Sequence, residues 1–392
     1  MTLKMLIAAR MNLVITLFFS LQFVGYSQEI AKVAQLQLPS KILEQNRPVL
    51  VYTPKQYEER DLVSFDVIYV FDAQNRELFD LVHALMNFES PEKQYIVIGI
   101  ASPAYEETNY YRNSDFSPKP LHVPIEKYLS NKPNAENFWQ YVQNEVMPMI
   151  DQKYRTTQVQ YAIGHSLSAS FVLDKSIHAP ELFTGFICVS PNLAYDNDRL
   201  ANDFVAADFK KSAAPKFLYI SQSNEPKTWA KPWGLAFEKV KNHVNSHPDF
   251  GKCDIILKEF PNNSHWSGFV PAVQEALKLL TVFIDKNPYK LVSNTQEVTF
   301  TIRVPNKEDD AYITGNQNTL GNWDPAKIKL HKVSAFERQI TLHVQFPLAF
   351  KITKGSWQSQ ATTNQQTDSL ENIVINKKSD HAIKLTVLTW NQ

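Results

Sequence analysis

Between Val49 and Lys286 short, continuously apolar runs alternate with stretches whose apolar residues recur every three or four positions, and after Asn287-Pro288 the second kind of stretch stops. The apolar runs fall at 65–71 (FDVIYVF), 95–100 (YIVIGI), 160–163, 186–190, 216–221 and 255–260. A run that is apolar on both faces and bounded by polar or turn residues suits the interior of a parallel sheet. Helical spacing is clearest over 136–153, where Phe138, Tyr141, Val142, Val146 and Met149 share a face, and it returns over 234–244 and 269–285. Alternating strand and helix predicts an α/β domain of three layers. The remainder offers strands alone, at 298–304, 311–314, 328–331, 338–344, 349–353 and 383–389, punctuated by Pro, Gly and Asn. That pattern predicts a small all-β sandwich over 296–392, after a linker at 286–295. Residues 358–369 are polar enough to read as a mobile loop.

Composition narrows the function classes. Hydrophobic residues make up 44% of the 392, enough for a packed core. Lys+Arg and Asp+Glu both number 40, so no global field gathers nucleic acid or an anionic membrane, and neither is expected as a partner. Two cysteines, Cys188 and Cys253, exclude a disulfide-dense scaffold, and Cys188 in its apolar run reads as a buried free thiol. At the start, Lys4 and Arg10 precede an apolar stretch from Met11 to Val24. Gly25 and Ser27 then stand at the positions of a cleavage before Gln28. This is the layout of a signal peptide over 1–27, so the mature chain is expected to be exported, periplasmic or extracellular, with no stable membrane insertion.

The chemistry centres on Gly164-His165-Ser166-Leu167-Ser168. A serine is a poor nucleophile unless a base stands beside it and its hydroxyl is exposed to the substrate carbonyl. A sharp strand-to-helix bend supplies the exposure and needs small residues two before and two after the serine. The apolar run 160–163 is the strand, Leu167 begins the helix, and Gly164 and Ser168 are the small flanks. Glycine is usual where Ser168 stands, so the bend is expected to be tighter.

In this kind of hydrolase the order along the chain is serine, acid, histidine. Of the histidines that follow an acid, His265 lies in a polar loop after the run 255–260, where α/β sheets place their chemistry. His243 and His247 read as surface residues near a helix end, and His331, His343 and His381 belong to the strand-only region. The acid should follow the run 216–221. Glu225 is the first carboxylate there, with Asp196, Asp198 and Asp254 as weaker rivals. Two N–H groups must hold the developing oxyanion. The amide of Leu167 is one, and the backbone of Ala73, after the run 65–71, is the other expected donor. Asp72, Trp266 and Tyr195 are expected around the substrate, Asp72 equally well as the cap of the next helix.

Several stretches together resemble the putative-esterase family of α/β-hydrolases, which includes esterase-D-like and enterochelin-esterase-like enzymes. They are Tyr154-Arg155-Thr156, IGHSLSA around Ser166, Pro180-Glu181-Leu182-Phe183, Ser190-Pro191, NNSHWS around His265, and the run from Tyr111 to Pro118. The resemblance covers about Gln37 to Lys286. It implies a three-layer α/β-hydrolase domain over 28–286, with Ser166 as nucleophile, His265 as base and an acid at or near Glu225. Ser168-Ala169 departs from the usual Gly-Gly pair. Asn192-Leu193-Ala194-Tyr195 departs from the usual Ser and paired tryptophans, implying an altered acyl or alcohol pocket.

The C-terminal part resembles a starch-binding (family-20 carbohydrate-binding) β-sandwich through Val298-Thr299-Phe300, Ile313-Thr314-Gly315, the stretch from Leu320 to Pro325 and the stretch from Phe350 to Trp357. The resemblance implies sugar binding at Trp323, Lys351 and Trp357, indole faces stacking on pyranose rings. No metal site and no cofactor are expected, since neither an H-E-x-x-H pattern nor a glycine-rich phosphate loop occurs. The expected function is a secreted serine esterase acting on a small ester, with the appended sandwich suggesting either an esterified carbohydrate or a nearby polysaccharide. The alternatives are a non-catalytic carbohydrate-binding protein with a degenerate hydrolase domain, and hydrolysis of a siderophore or small thioester.

Overall fold

The computed structural model describes residues 32–391 apart from 90–92, 103–110, 123–131, 226, 288–289, 292–293 and 377–381. The expected leader at 1–27 lies outside the described residues. Eight strands form the main sheet: β1 (Lys32–Ser40), β2 (Gln45–Thr53), β3 (Phe65–Phe71), β4 (Tyr95–Ile100), β5 (Thr156–His165), β6 (Gly185–Val189), β7 (Lys216–Ser223) and β8 (Cys253–Phe260). Their spatial order is β1-β2-β4-β3-β5-β6-β7-β8. From β4 through β8 every neighbour is parallel, and β2 runs antiparallel to β4.

The continuous apolar runs are explained by burial on both faces. In β3, Val67, Tyr69 and Phe71 face one core and Ile68 and Val70 the other. The first core takes Phe138, from the helix Ala135–Tyr141, and Phe171, from the helix Leu167–His178; their rings lie 6.4 and 5.4 Å from that of Phe71. The second takes Phe79 and Val82 of the helix Arg76–Glu89 and Val273 and Leu277 of the helix Phe269–Lys286. Each such side chain taken from water contributes about 1.5–3 kcal/mol.

The helix expected over 136–153 is interrupted. Ala135–Tyr141 leads into a π-turn, Val142–Val146, and then Met147–Lys153. Pro148 has no N–H to give to the carbonyl four residues back, and the turn before it widens. No described helix is long and apolar enough to cross a membrane. Cys188 and Cys253 are both buried free thiols.

The region after the last helix holds β9 (Gln296–Arg303), β10 (Tyr312–Gly315), β11 (Ile328–Lys329), β12 (His331–Lys332), β13 (Glu337–Val344), β14 (Leu348–Thr353), β15 (Ala361–Thr363), β16 (Ile373–Ile375) and β17 (Ala382–Trp390). They form two sheets, β11-β10-β14-β16 and β12-β13-β9-β17-β15. Phe300 of β9 meets Phe350 of β14 at 5.5 Å between ring centres.

Residues 358–369, expected as a mobile loop, form instead a hydrogen-bonded unit that includes β15. The Gln366 amide oxygen accepts from the Thr363 N–H at 3.1 Å and its hydroxyl at 2.9 Å. Gln365 donates to Asp61 at 2.9 Å and accepts from the Leu62 N–H at 3.2 Å, which ties the unit to the turn before β3. Nearby, Arg60 pairs with Glu371, and the Ser64 N–H donates to Val374 at 2.8 Å. The strand-only region thus braces the end of the main sheet at which β3 begins. The polar composition reflected amide side chains used inside an interface rather than solvation.

Candidate active site

The carboxyl ends of β3, β5 and β6 share one backbone feature. Asp72, Ser166 and Ser190, the residues that follow them, have φ of +72°, +60° and +50°. Such conformations are costly for residues with a side chain and concentrate where function requires them. Ser166, with ψ of −119°, joins β5 to the helix Leu167–His178. Its N–H donates to Val189 of β6 at 2.9 Å, and the residue is half-buried. A Cβ on Gly164 would lie 2.5 Å from the Ser168 backbone, so only glycine fits there. Ser168, at the position where glycine was expected, is fully buried, and its hydroxyl bonds both the N–H and the carbonyl of His165 at 3.0 and 2.9 Å.

The loop after β8 brings in His265 and the loop after β7 brings in Glu225. The His265 Nδ1–H donates to Glu225 Oε2 at 2.6 Å, with both side chains almost wholly buried. The loops are joined a second time by the Asn224 N–H donating to Asn263 at 2.8 Å. Gly268 lets the loop pack on the end of β7, since a Cβ there would sit 1.8 Å from Ser223 Oγ. Of the rival acids, Asp196 is engaged elsewhere: its carboxylate accepts from the Leu121 and His122 N–H groups at 2.7 and 2.9 Å.

The His265 loop meets the Ser166 bend through His165. The His165 ring lies 4.6 Å from the His265 ring, 4.9 Å from that of Trp266 and 5.5 Å from that of Phe269. Its Nε2 bonds the His265 carbonyl at 2.8 Å. Trp233 stands edge-on to His265 at 5.6 Å, and Trp266 is 59% exposed at the mouth.

The expected oxyanion donors fare differently. Leu167 is the first residue of its helix, where an N–H has no acceptor within the helix. Ala73 requires a correction: its N–H donates to Ile100 at 3.1 Å, which takes it out of the site. Gln74 comes next, and no backbone carbonyl among the described residues takes its N–H. The Gln74 side chain is fixed by Asp72 and by the Ser102 N–H at 2.8 Å. Asp72 offers substrate little, being 2% exposed, with its carboxylate clamped by Arg112 at 2.6, 2.7 and 2.8 Å. Tyr195 gives its hydroxyl to the Pro118 carbonyl at 2.8 Å, and burial, with Asp196 next, raises its pKa to about 12. Its polar end therefore ties two loops together.

A family model described as putative esterase matches residues 40–268. The chain belongs to the putative-esterase family. Among curated proteins, this esterase-family chain is 24% identical over 164 residues to the ferri-bacillibactin esterase BesA of Bacillus subtilis (strain 168), a match that spans 39% of this chain and 56% of that protein. Among solved structures it is similar to an IroE-like serine hydrolase from Shewanella oneidensis, with a TM-score of 0.54 and 21% identity over 64% of this chain and 80% of that one. It is also similar to the siderophore hydrolase EstA from Aspergillus nidulans, with a TM-score of 0.52 and 18% identity over 64% and 95% of the two chains. At these identities the structural likeness speaks for the fold.

The residues expected to bind sugar lie away from this site. Trp323 is half-buried in a cleft of about 410 Å³ that also takes in Asp66 and Lys93, at the opposite end of β3 from Asp72. Lys351 requires a correction: its ammonium is buried and donates to the Ser369 carbonyl at 2.7 Å and to that of Leu370, so it is not offered to a ligand. Trp357 is 38% exposed on a short turn and does not line the Trp323 cleft. Among the described residues no group of three His, Cys, Asp or Glu side chains is placed to hold a metal ion.

His165, Arg112 and Trp233 were not singled out by the sequence reading. His165 occupies the variable position of the serine motif, and Arg112 lies inside the Tyr111–Pro118 stretch that carried the family resemblance, so both were in view. Trp233 had no local signal, because it reaches His265 only through tertiary packing.

Proposed function

We propose that the chain is a serine esterase in which Ser166, His265 and Glu225 act as nucleophile, base and acid. The His265–Glu225 hydrogen bond beside the strained Ser166 bend carries this reading. A histidine held at Nδ1 by a buried carboxylate presents Nε2 as the base and is stabilised once it becomes a cation. His265 Nε2 takes the hydroxyl proton as Ser166 Oγ bonds the ester carbonyl carbon. The tetrahedral oxyanion accepts from the Leu167 and Gln74 N–H groups. Collapse breaks the ester C–O bond, and the alcohol leaves with the proton from His265. Water then attacks the acyl-serine, again giving its proton to His265, and releases the acid with Ser166 restored.

For the substrate, the names of the relatives favour a siderophore ester over an esterified carbohydrate, and the engagement of Lys351 with backbone carbonyls points the same way. The strand-only region, as a starch-binding-like sandwich, then serves as a brace. A degenerate hydrolase domain would call for a bend spoiled by Ser168. The Ser168 hydroxyl instead replaces the missing close approach with two hydrogen bonds, which supports an active enzyme. Export rests on residues 1–27, and the mature protein is expected to begin at Gln28.

A chromogenic acetate ester tests the reaction. Wild type is expected to hydrolyse it with an initial burst, and Ser166→Ala to lose that activity. Equal slow hydrolysis by both proteins would sink the esterase reading. A ferric triester siderophore and an acetylated xylan, assayed side by side, then decide the substrate class.

A further inference from the structure

We propose that His165 is a positioning residue, which through its Nε2–H holds the main chain of His265 in register with Ser166 and does so as a neutral imidazole. The inference rests on the esterase reading above. Most of the loop at 261–268 is exposed, and Ser264 and Ser267 bond chiefly each other. Glu225 fixes the His265 ring at Nδ1, which leaves the ring's distance from Ser166 to be set by the backbone that carries it. The bond from His165 to the His265 carbonyl, 2.8 Å long, makes that connection. Because His165 is covalently next to Ser166, one hydrogen bond across 100 residues of chain ties the nucleophile's backbone to the base's backbone.

The tautomer follows from the partner. A carbonyl only accepts, so His165 Nε2 carries the proton and Nδ1 keeps its lone pair. Nδ1 is buried, and none of the described residues gives it a hydrogen-bond partner. A second proton there would place a charge 4.6 Å from the ring that must itself become a cation during the reaction. Burial, then His265, then Arg112 oppose that charge, and they hold the His165 pKa down to about 3. The clamp therefore stays uncharged while His265 cycles.

Two substitutions separate this role from ring packing. His165→Phe keeps the ring and loses the donor, whereas His165→Gln keeps an N–H near the Nε2 position and loses the ring. We expect His165→Phe to lower kcat by about 10²-fold with KM little changed, since small misplacement of a catalytic group costs that much. We expect His165→Gln to recover most of the loss. Packing alone predicts the reverse order, and Phe equal to or better than Gln would overturn the proposal. Nitrogen-15 spectra of wild-type histidines give a readout without turnover. One ring is expected to remain a neutral Nε2–H tautomer well below the usual histidine pKa of about 6.5. An Nδ1–H form, or ordinary titration of His165, would also overturn it. Ser166→Ala is assayed alongside: full activity there would defeat the esterase reading, whereas an inactive Ser166→Ala with an active His165→Phe defeats the clamp alone.

Discussion

Ser168 Oγ accepts the His165 N–H at 3.0 Å and donates to the His165 carbonyl at 2.9 Å, so one hydroxyl closes the bend around Ser166. In this chain the bend depends on a serine where the motif leads one to expect glycine. Ser168→Gly restores the usual residue but leaves a buried N–H without its partner. It is expected to destabilise the protein by about 1–3 kcal/mol and to lower kcat. Denaturant unfolding with an ester assay checks this. Unchanged stability would mean that water or a local shift replaces the hydroxyl.

Glu225→Gln keeps the shape of the acid and removes its charge. The His265 Nδ1–H then meets an amide that can also present N–H, and the imidazole loses both its fixed tautomer and the partner of its cation. On the esterase reading kcat should fall by about 10³–10⁴-fold with the fold intact. Retention of more than about a tenth of the activity would point to a different acid, a result compatible with dyad catalysis but not with the role given to Glu225.

Lys351 tests the meaning of the strand-only region. Its ammonium spans the Ser369 and Leu370 carbonyls, and burial lowers its pKa. Lys351→Met is expected to lower the unfolding midpoint without altering retention on insoluble starch. Loss of retention with unchanged stability would restore the sugar-binding role. Trp357→Ala in the same pull-down examines the one exposed indole of the predicted set.

Glu371→Ala probes the brace. The mutation leaves Arg60, 4% exposed, without its carboxylate inside the junction. Removing one member of a buried ion pair typically costs about 3–5 kcal/mol. The expected result is earlier unfolding in calorimetry, with the strand-only region melting apart from the main sheet. A single unshifted transition would show that the contacts through Ser64 and Gln365, with the Asn376 side-chain amide donating to the Thr156 carbonyl at 3.0 Å, suffice.

What could be read from the sequence follows how local each signal was. The runs in β3, β4 and β6 announced themselves because burial on both faces demands unbroken apolar residues. The bend at Ser166 did so because its geometry restricts the residues on either side. β1 was missed because its exposed edge position carries no buried run. Ala73 reads as an oxyanion donor because the sequence does not show that a sheet partner, the Ile100 carbonyl, takes its amide. Lys351 was read from a family position, yet the carbonyls that hold it lie on a segment folded back from later in the chain. The His165–His265 contact spans two loops, and no spacing in the sequence implies it.

The buried His165 also links stability to pH. Its pKa is about 3 in the folded protein against about 6.5 when unfolded. Between those values the unfolded chain binds a proton that the folded protein does not. Stability from this group is therefore complete above pH 6.5 or so and is lost progressively as pH falls toward 3, by up to about 1.4 kcal/mol per pH unit. His165→Phe removes the proton uptake. Although less stable at neutral pH, the variant should lose less further stability than wild type between about pH 6.5 and 4, when both are followed by urea unfolding. Other groups titrate in this window in both proteins, so the difference between the two slopes isolates His165. Parallel slopes would mean that His165 takes up its proton in the folded state, which is incompatible with a neutral clamp.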